Sequence, residues 1–151
     1  MDMMQNEISR FIKDNKIASI CCIENCDAAY CFHCFYVFDE ENKLLFFKSS
    51  PHTRHSQLLE KNGHIAGSIL PDKIDFLALK GIQFTGIVLN IGFPGNISPD
   101  KFYHSKLPLA LAKPGKVWCL QLETVKMSDS SRIFGKKLHW ERANASDYSP
   151  S

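Results

Sequence analysis

At 151 residues, with 44% apolar and 11% aromatic content, the chain is long enough to bury one core and short for two domains. Lysine and arginine number 18 against 16 acidic residues, and a net charge of +2 provides no field to draw nucleic acid or an anionic membrane. No run approaches the roughly 20 apolar residues that span a bilayer, and Met1 to Asn15 carries Asp2, Glu7, Arg10, Lys13 and Asp14 where a signal peptide would be apolar, so a cytoplasmic protein is expected.

Residues 3 to 15 read as an amphipathic helix, because Met4, Ile8, Phe11 and Ile12 share one face while Gln5, Glu7, Arg10 and Lys13 take the other. From Ile17 the pattern changes to β-rich runs: Ile17 to Glu24, Tyr30 to Phe38, Lys43 to Lys48, His64 to Leu70, Ile74 to Asn90 and Lys116 to Met127. Turn chemistry at Asn25 to Asp27, Asp39 to Asn42 and Pro71-Asp72-Lys73 makes antiparallel neighbours. Two interruptions are helical: Thr53 to Asn62, closed by Gly63, and Pro99 to Ala112, which Pro108 kinks or restarts. The tail from Ala143 to Ser151 reads as frayed. Six antiparallel strands with so few helices predict one mainly β domain over 1–151, a Greek-key barrel whose closure removes exposed edges.

Five of the six cysteines crowd between Cys21 and Cys34, and without an export signal they are expected as free thiols. Cys31-Phe32-His33-Cys34 resembles a metal knuckle. On a regular strand, however, Cys31 and His33 face one side and Cys34 the other, which suits no single tetrahedral ion, so no metal is expected.

Phe46 to Ser56 is the most informative stretch. A strand ends, a small polar loop turns, and a helix starts at an N-cap Thr53, leaving N–H groups and a partial positive charge at the helix start. Arg54, His55, Ser49 and Ser50 add donors suited to phosphate, and Phe46-Phe47 adds apolar bulk for the flat end of a phosphorylated ligand. An ordinary capped helix with solvated Arg and His is the alternative.

Phe47-Lys48-Ser49, Thr53-Arg54-His55 and Leu58-Leu59-x-x-Asn62 together resemble the stretch of the pyridoxamine 5′-phosphate oxidase-like FMN-binding split barrels that holds the FMN phosphate. The likeness covers residues 15 to 127. It is closer still to a small bacterial subfamily in which Phe35-Tyr36-x-Phe38-Asp39, Thr53-Arg54-His55, Gln83-Phe84-x-Gly86 and Phe134-Gly135-Lys136-Lys137 occur together. The resemblance implies FMN as cofactor, a homodimer with flavins between subunits, and an oxidoreductase of unknown substrate. Thr53 and Arg54 match the phosphate-binding Ser and Arg, and His55 stands in place of the usual Lys. Phe32, Cys34, Phe35 and Tyr36 lie in the segment along the flavin ring, and Ser49 ends the next strand. Gln83 lies two residues from the flavin-contacting position, which falls on Gly81. Trp140 and Arg142 are candidates to close over the ring. A haem-binding barrel and a non-catalytic ligand-binding module are the competing readings. No catalytic residue is assigned, because no nucleophile elbow, P-loop or paired-carboxylate motif occurs.

Overall fold

The computed structural model describes residues 3–130 and 135–143. Its β-rich middle forms one antiparallel sheet: β1 Ile17–Asn25, β2 Ala28–Phe35, β3 Val37–Asp39, β4 Leu44–Ser49, β5 His64–Ile69, β6 Lys80–Leu89, β7 Lys116–Asp129 and β8 Lys136–Glu141. Strand order is β2-β1-β5-β6-β7-β4-β3, and β8 extends the β4 side of the sheet by pairing with the far half of β7. β2 and β3 therefore stand at opposite ends of the order, yet only Tyr36 separates them in the chain. That one-residue link rolls the sheet until its two edges meet, and the result is a mainly β split barrel.

Among the described residues eight strands replace the six expected. Tyr36 divides the run from Tyr30 to Phe38, because its N–H donates to the Lys16 carbonyl (3.1 Å) and its hydroxyl to the Ile12 carbonyl (2.7 Å). β6 begins at Lys80 rather than Ile74, since Asp75 turns the chain by accepting the Leu77 N–H at 3.0 Å. β8 was not expected. The α-helices of the described residues are α1 Asn6–Asp14, shorter than expected, α2 Arg54–Lys61 and α3 Pro99–Lys106; Pro108 restarts the last as a 3-10 turn over Pro108–Ala112.

Alternation sorts the side chains. Ala18, Ile20 and Cys22 of β1 point inward, as do Ile82 and Phe84 of β6 and Ile65 and Ile69 of β5. On β7 the side chains in this core are Trp118, Leu120 and Leu122, then Val125 and Met127; the switch from even to odd falls at a bulge where Thr85 faces Thr124 but Gly86 faces Leu122. Ile8 and Ile12 of α1 and Leu58 and Leu59 of α2 complete this core. Burying each Ile, Leu, Val, Phe or Met of this set contributes about 1.5–3 kcal/mol. β4 is buried on both faces, with Leu45 and Phe47 in the barrel and Leu44 and Phe46 in a second core beneath Tyr103 of α3. Gly67 is dictated by close approach: a Cβ there would lie 2.4 Å from the Phe84 ring and 2.6 Å from the Ser19 carbonyl.

A cationic cleft at the barrel seam

Where β2 runs into β3, the end of β4, the start of α2 and the Pro108 turn surround a cleft of about 1030 Å³. Its lining includes Cys34, Phe35 and Tyr36 on one side and Ser49, Ser50 and His55 on another. Five of the ten expected binding residues thus come together: Cys34, Phe35, Tyr36, Ser49 and His55. The volume is at the upper end of the range for small-molecule and cofactor sites.

His55 is fixed from two directions. Its ring stacks on Phe32 with centroids 3.9 Å apart and planes 7° from parallel, and its Nε2 lies 2.7 Å from Ser49 Oγ. Phe32 in turn meets Phe47 (5.6 Å), which stacks on Trp118 (6.1 Å), so an aromatic column runs from the cleft into the core. Burial lowers the His55 pKa, which favours the neutral imidazole. Burial pushes the Cys34 thiol up to about 12, so it stays protonated and is no nucleophile at neutral pH.

The helix start is organised as expected, but its groups are turned to one another. Thr53 Oγ1 accepts the Ser56 N–H (3.2 Å) and lies 2.7 Å from Ser56 Oγ, which donates to the Ser50 carbonyl (2.8 Å). Arg54 does not line the cleft; it pairs with Glu24 of β1 and lies over the Tyr30 ring at 5.5 Å. Gln83 is exposed on the outer face of β6, in a separate groove. Trp140 is 6% exposed within the barrel core, and Arg142 donates to the Leu122, Asn42 and Lys43 carbonyls, clamping β8 to the turn before β4. Phe134 lies outside the described residues.

The feature that sequence reasoning missed is charge. Lys13, Lys16, Lys48, Lys106 and Lys113 line the cleft, and among the described residues no Asp or Glu does. Lys13 is paired with Glu40, 2.6 Å away. Lys48 Nζ donates to the Ala110 carbonyl (2.9 Å) and sits 3.0 Å from His104 Nε2. Because His104 Nδ1 faces the Asp100 carbonyl at 2.8 Å, Nδ1 carries the proton and Nε2 accepts from the ammonium. Lys16, Lys106 and Lys113 are exposed at the rim. The Leu44, Phe46, Lys48 alternation was the available signal for one lysine; the others come from α1, the link after it, α3 and the loop after Ala112, too far apart in sequence to read as a set.

No helix of the described residues is long and apolar enough to cross a membrane. Among the solved structures similar to this chain, a haem-binding protein from Mycobacterium smegmatis superposes with a TM-score of 0.68 at 10% identity, covering 85% of this chain and 54% of that one. An FAD-binding protein from Mesorhizobium loti gives 0.67 at 13% identity over 84% and 95% of the two chains. A pyridoxamine 5′-phosphate oxidase-related, FMN-binding protein from Nostoc punctiforme gives 0.66 at 7% identity over 93% and 91%. These likenesses show the split-barrel fold of the pyridoxamine 5′-phosphate oxidase-like proteins. No family model matches the chain. A UPF0306 protein of Yersinia pseudotuberculosis is 33% identical over 135 residues, 89% of this chain and 91% of that protein. Identity at that level over nearly the whole of both chains carries the assignment: the chain belongs to the UPF0306 family.

Proposed function

We propose that the seam cleft binds FMN and that the protein is a flavin-dependent oxidoreductase working as a homodimer. The observation that carries this reading is the charge of the cleft: five lysines and no carboxylate among its described lining residues, in a chain whose net charge is only +2. A phosphorylated ligand with an apolar flat portion matches that donor set, with Lys16, Lys106, Lys113 and the hydroxyls of Ser49 and Ser50 for the phosphate. Phe35, Tyr36, Val37 and Phe38 offer the apolar wall. Bound there, the flavin ring would supply the hydride chemistry. The chain's own residues bind and orient: the column of His55, Phe32 and Phe47 gives a rigid floor, and the neutral His55 presents a hydrogen-bonding edge through Ser49.

Homodimerisation is supported by apolar surface that the protomer leaves open. Ile74, Phe76, Leu77 and Leu79 are 80%, 98%, 90% and 56% exposed, and Phe35, beside the cleft, is 60% exposed. The flavin- and haem-binding proteins that share the fold also support a cofactor-binding role. His33, an exposed imidazole among the cleft's lining residues, favours haem as a second reading.

The absorbance spectrum of freshly purified protein, followed by titration with FMN and riboflavin, tests both. Flavin absorbance, with FMN held at least about tenfold more tightly than riboflavin, is expected, because one charge-assisted contact is worth about 1.5–3 kcal/mol. A Soret band with no flavin affinity would move the assignment to haem; equal affinity for FMN and riboflavin would refute a phosphate site in the cleft.

A further inference from the structure

On the outer face of the sheet, in a groove that shares no residue with the cleft, β1 and β2 set two cysteines opposite each other. The register pairs Cys21 with Cys31. The alternation that turns Ile20 and Cys22 inward turns Cys21 outward, and Cys31 faces out from β2. Cys31 Sγ donates to the Phe32 carbonyl at 4.0 Å, so the thiol lies along the strand beside Cys21. The groove is about 440 Å³, and among its described lining residues, which include Ser19, Ser68 and Thr85, the charged one is Lys126.

Opposed residues of an antiparallel pair have Cα atoms about 4.5 or 5.5 Å apart, and both values lie within the span of about 4.4–6.8 Å that a disulfide bridges. Their Cβ atoms stand about 4.5–5.5 Å apart, whereas a disulfide holds them at about 3.5–4.5 Å. Closing the bond therefore draws the strands together, and a strained, exposed disulfide is one that small thiols reduce readily.

We propose that Cys21 and Cys31 form a reversible dithiol site that exchanges with low-molecular-weight disulfides of the glutathione type. Cys31, the exposed member, loses its proton to solvent and its thiolate attacks one sulfur of the small disulfide. A mixed disulfide forms on Cys31, and the first small thiol leaves and takes up a proton. Cys21, held above the usual thiol range by burial and by the neighbouring Cys31 thiol, follows as the resolving thiol. Its sulfur, deprotonated to solvent, attacks that of Cys31, the second small thiol departs protonated, and the Cys21–Cys31 disulfide remains. Two electrons pass from the protein to the small disulfide, which ends as two thiols. Lys126 in the groove complements the carboxylates of such a tripeptide. The bond would tie β1 to β2 one residue before Phe32, the ring on which His55 stacks in the cleft.

The test incubates the reduced full-length protein with oxidised glutathione, traps free thiols by alkylation, and reads intact and peptide masses. Wild type is expected to lose two hydrogens, with the Cys21 and Cys31 peptides linked, and to recover its reduced mass in dithiothreitol. Cys21→Ser should stop at a glutathione adduct on Cys31; if it does not fold by circular dichroism, Cys21→Ala reads the same step. Cys26→Ser, in the turn between the strands, should behave as wild type. A wild type that retains the adduct without losing two hydrogens, or whose disulfide maps to other cysteines, overturns the proposal. So does a folded Cys21 variant that accumulates no adduct on Cys31.

Discussion

Replacing Lys16, Lys106 and Lys113 together by Gln removes the three rim charges of the cleft while leaving its apolar wall and the His55 stack in place. Lys48 is spared because its ammonium is already held by the Ala110 carbonyl and His104, and its loss would disturb the packing of α3 on β4. The three chosen lysines are exposed, so each is credited with the modest value of a solvated ion pair, about 0.5–1 kcal/mol. Together they are worth about 1.5–3 kcal/mol, which weakens FMN binding by about 10- to 150-fold. Riboflavin, lacking the phosphate, is expected to bind the variant and the wild type alike. Quenching of flavin fluorescence gives both constants. Repeating the titration between about 0.1 M and 1 M salt, where the screening length falls from about 10 Å to about 3 Å, should weaken the wild type and leave the variant nearly flat. If the triple variant binds FMN as wild type does, or loses riboflavin equally, the lysines are a solvated rim and the phosphate lies elsewhere.

Arg54→Ala is expected to leave FMN affinity unchanged and to cost at most about 1 kcal/mol of stability, because Arg54 serves an exposed pair with Glu24; loss of FMN in titration would show that the guanidinium swings to the ligand. Gly67→Ala forces a methyl against the Phe84 ring and the Ser19 carbonyl, and overpacking of this kind should destabilise the barrel by about 3 kcal/mol, seen as a lower Tm; an unchanged Tm would refute the close approach. His55 is held below its ordinary pKa by burial, so the unfolded chain binds more protons near and below pH 6.5: stability is full above that value and falls as pH drops toward the folded pKa. Urea unfolding of wild type and His55→Gln at about pH 7.5 and 5.5 should therefore show a difference that shrinks or reverses at the lower pH, and a constant difference would mean that His55 stays solvated.

Much of the barrel was legible because alternation and turn chemistry are local. The runs Ile17 to Glu24, Lys43 to Lys48 and His64 to Leu70 became β1, β4 and β5 with small shifts at their ends. The N-cap at Thr53 and the restart at Pro108 were also readable, each resting on one residue type in one place. The errors have tertiary causes. Ile74, Phe76 and Leu77 carry a strand's composition, yet among the described residues no strand pairs with them and Asp75 turns the chain, so composition misled where a partner was missing. β8 has a sequence pattern as good as β3's, but it forms because β7 is long enough to pair with β4 along one half and β8 along the other.

The site divides along the same line. Residues on one short stretch, Cys34 to Tyr36 or Ser49, Ser50 and His55, converge because β2 and β4 meet where the sheet closes, and a family pattern of contiguous blocks captures that. Side-chain direction is not contiguous information. Arg54 and His55 are adjacent on α2, about 100° apart around its axis, so only one of them can lean over Phe32 while the other is carried toward Glu24. The same rotation decides what the anion meets: the side chain facing the cleft is a neutral imidazole, and positive charge has to come from lysines of α1 and the link that follows it, β4, α3 and the loop after Ala112. Assembling that charge from four separate elements ties ligand affinity to the closure of the barrel itself, because Lys16 borders the Tyr36 corner while Lys106 and Lys113 ride on the segment packed against β4. Weakening the corner, for instance by Tyr36→Phe with its lost bond to Ile12, should therefore loosen FMN through geometry alone, with no lysine touched.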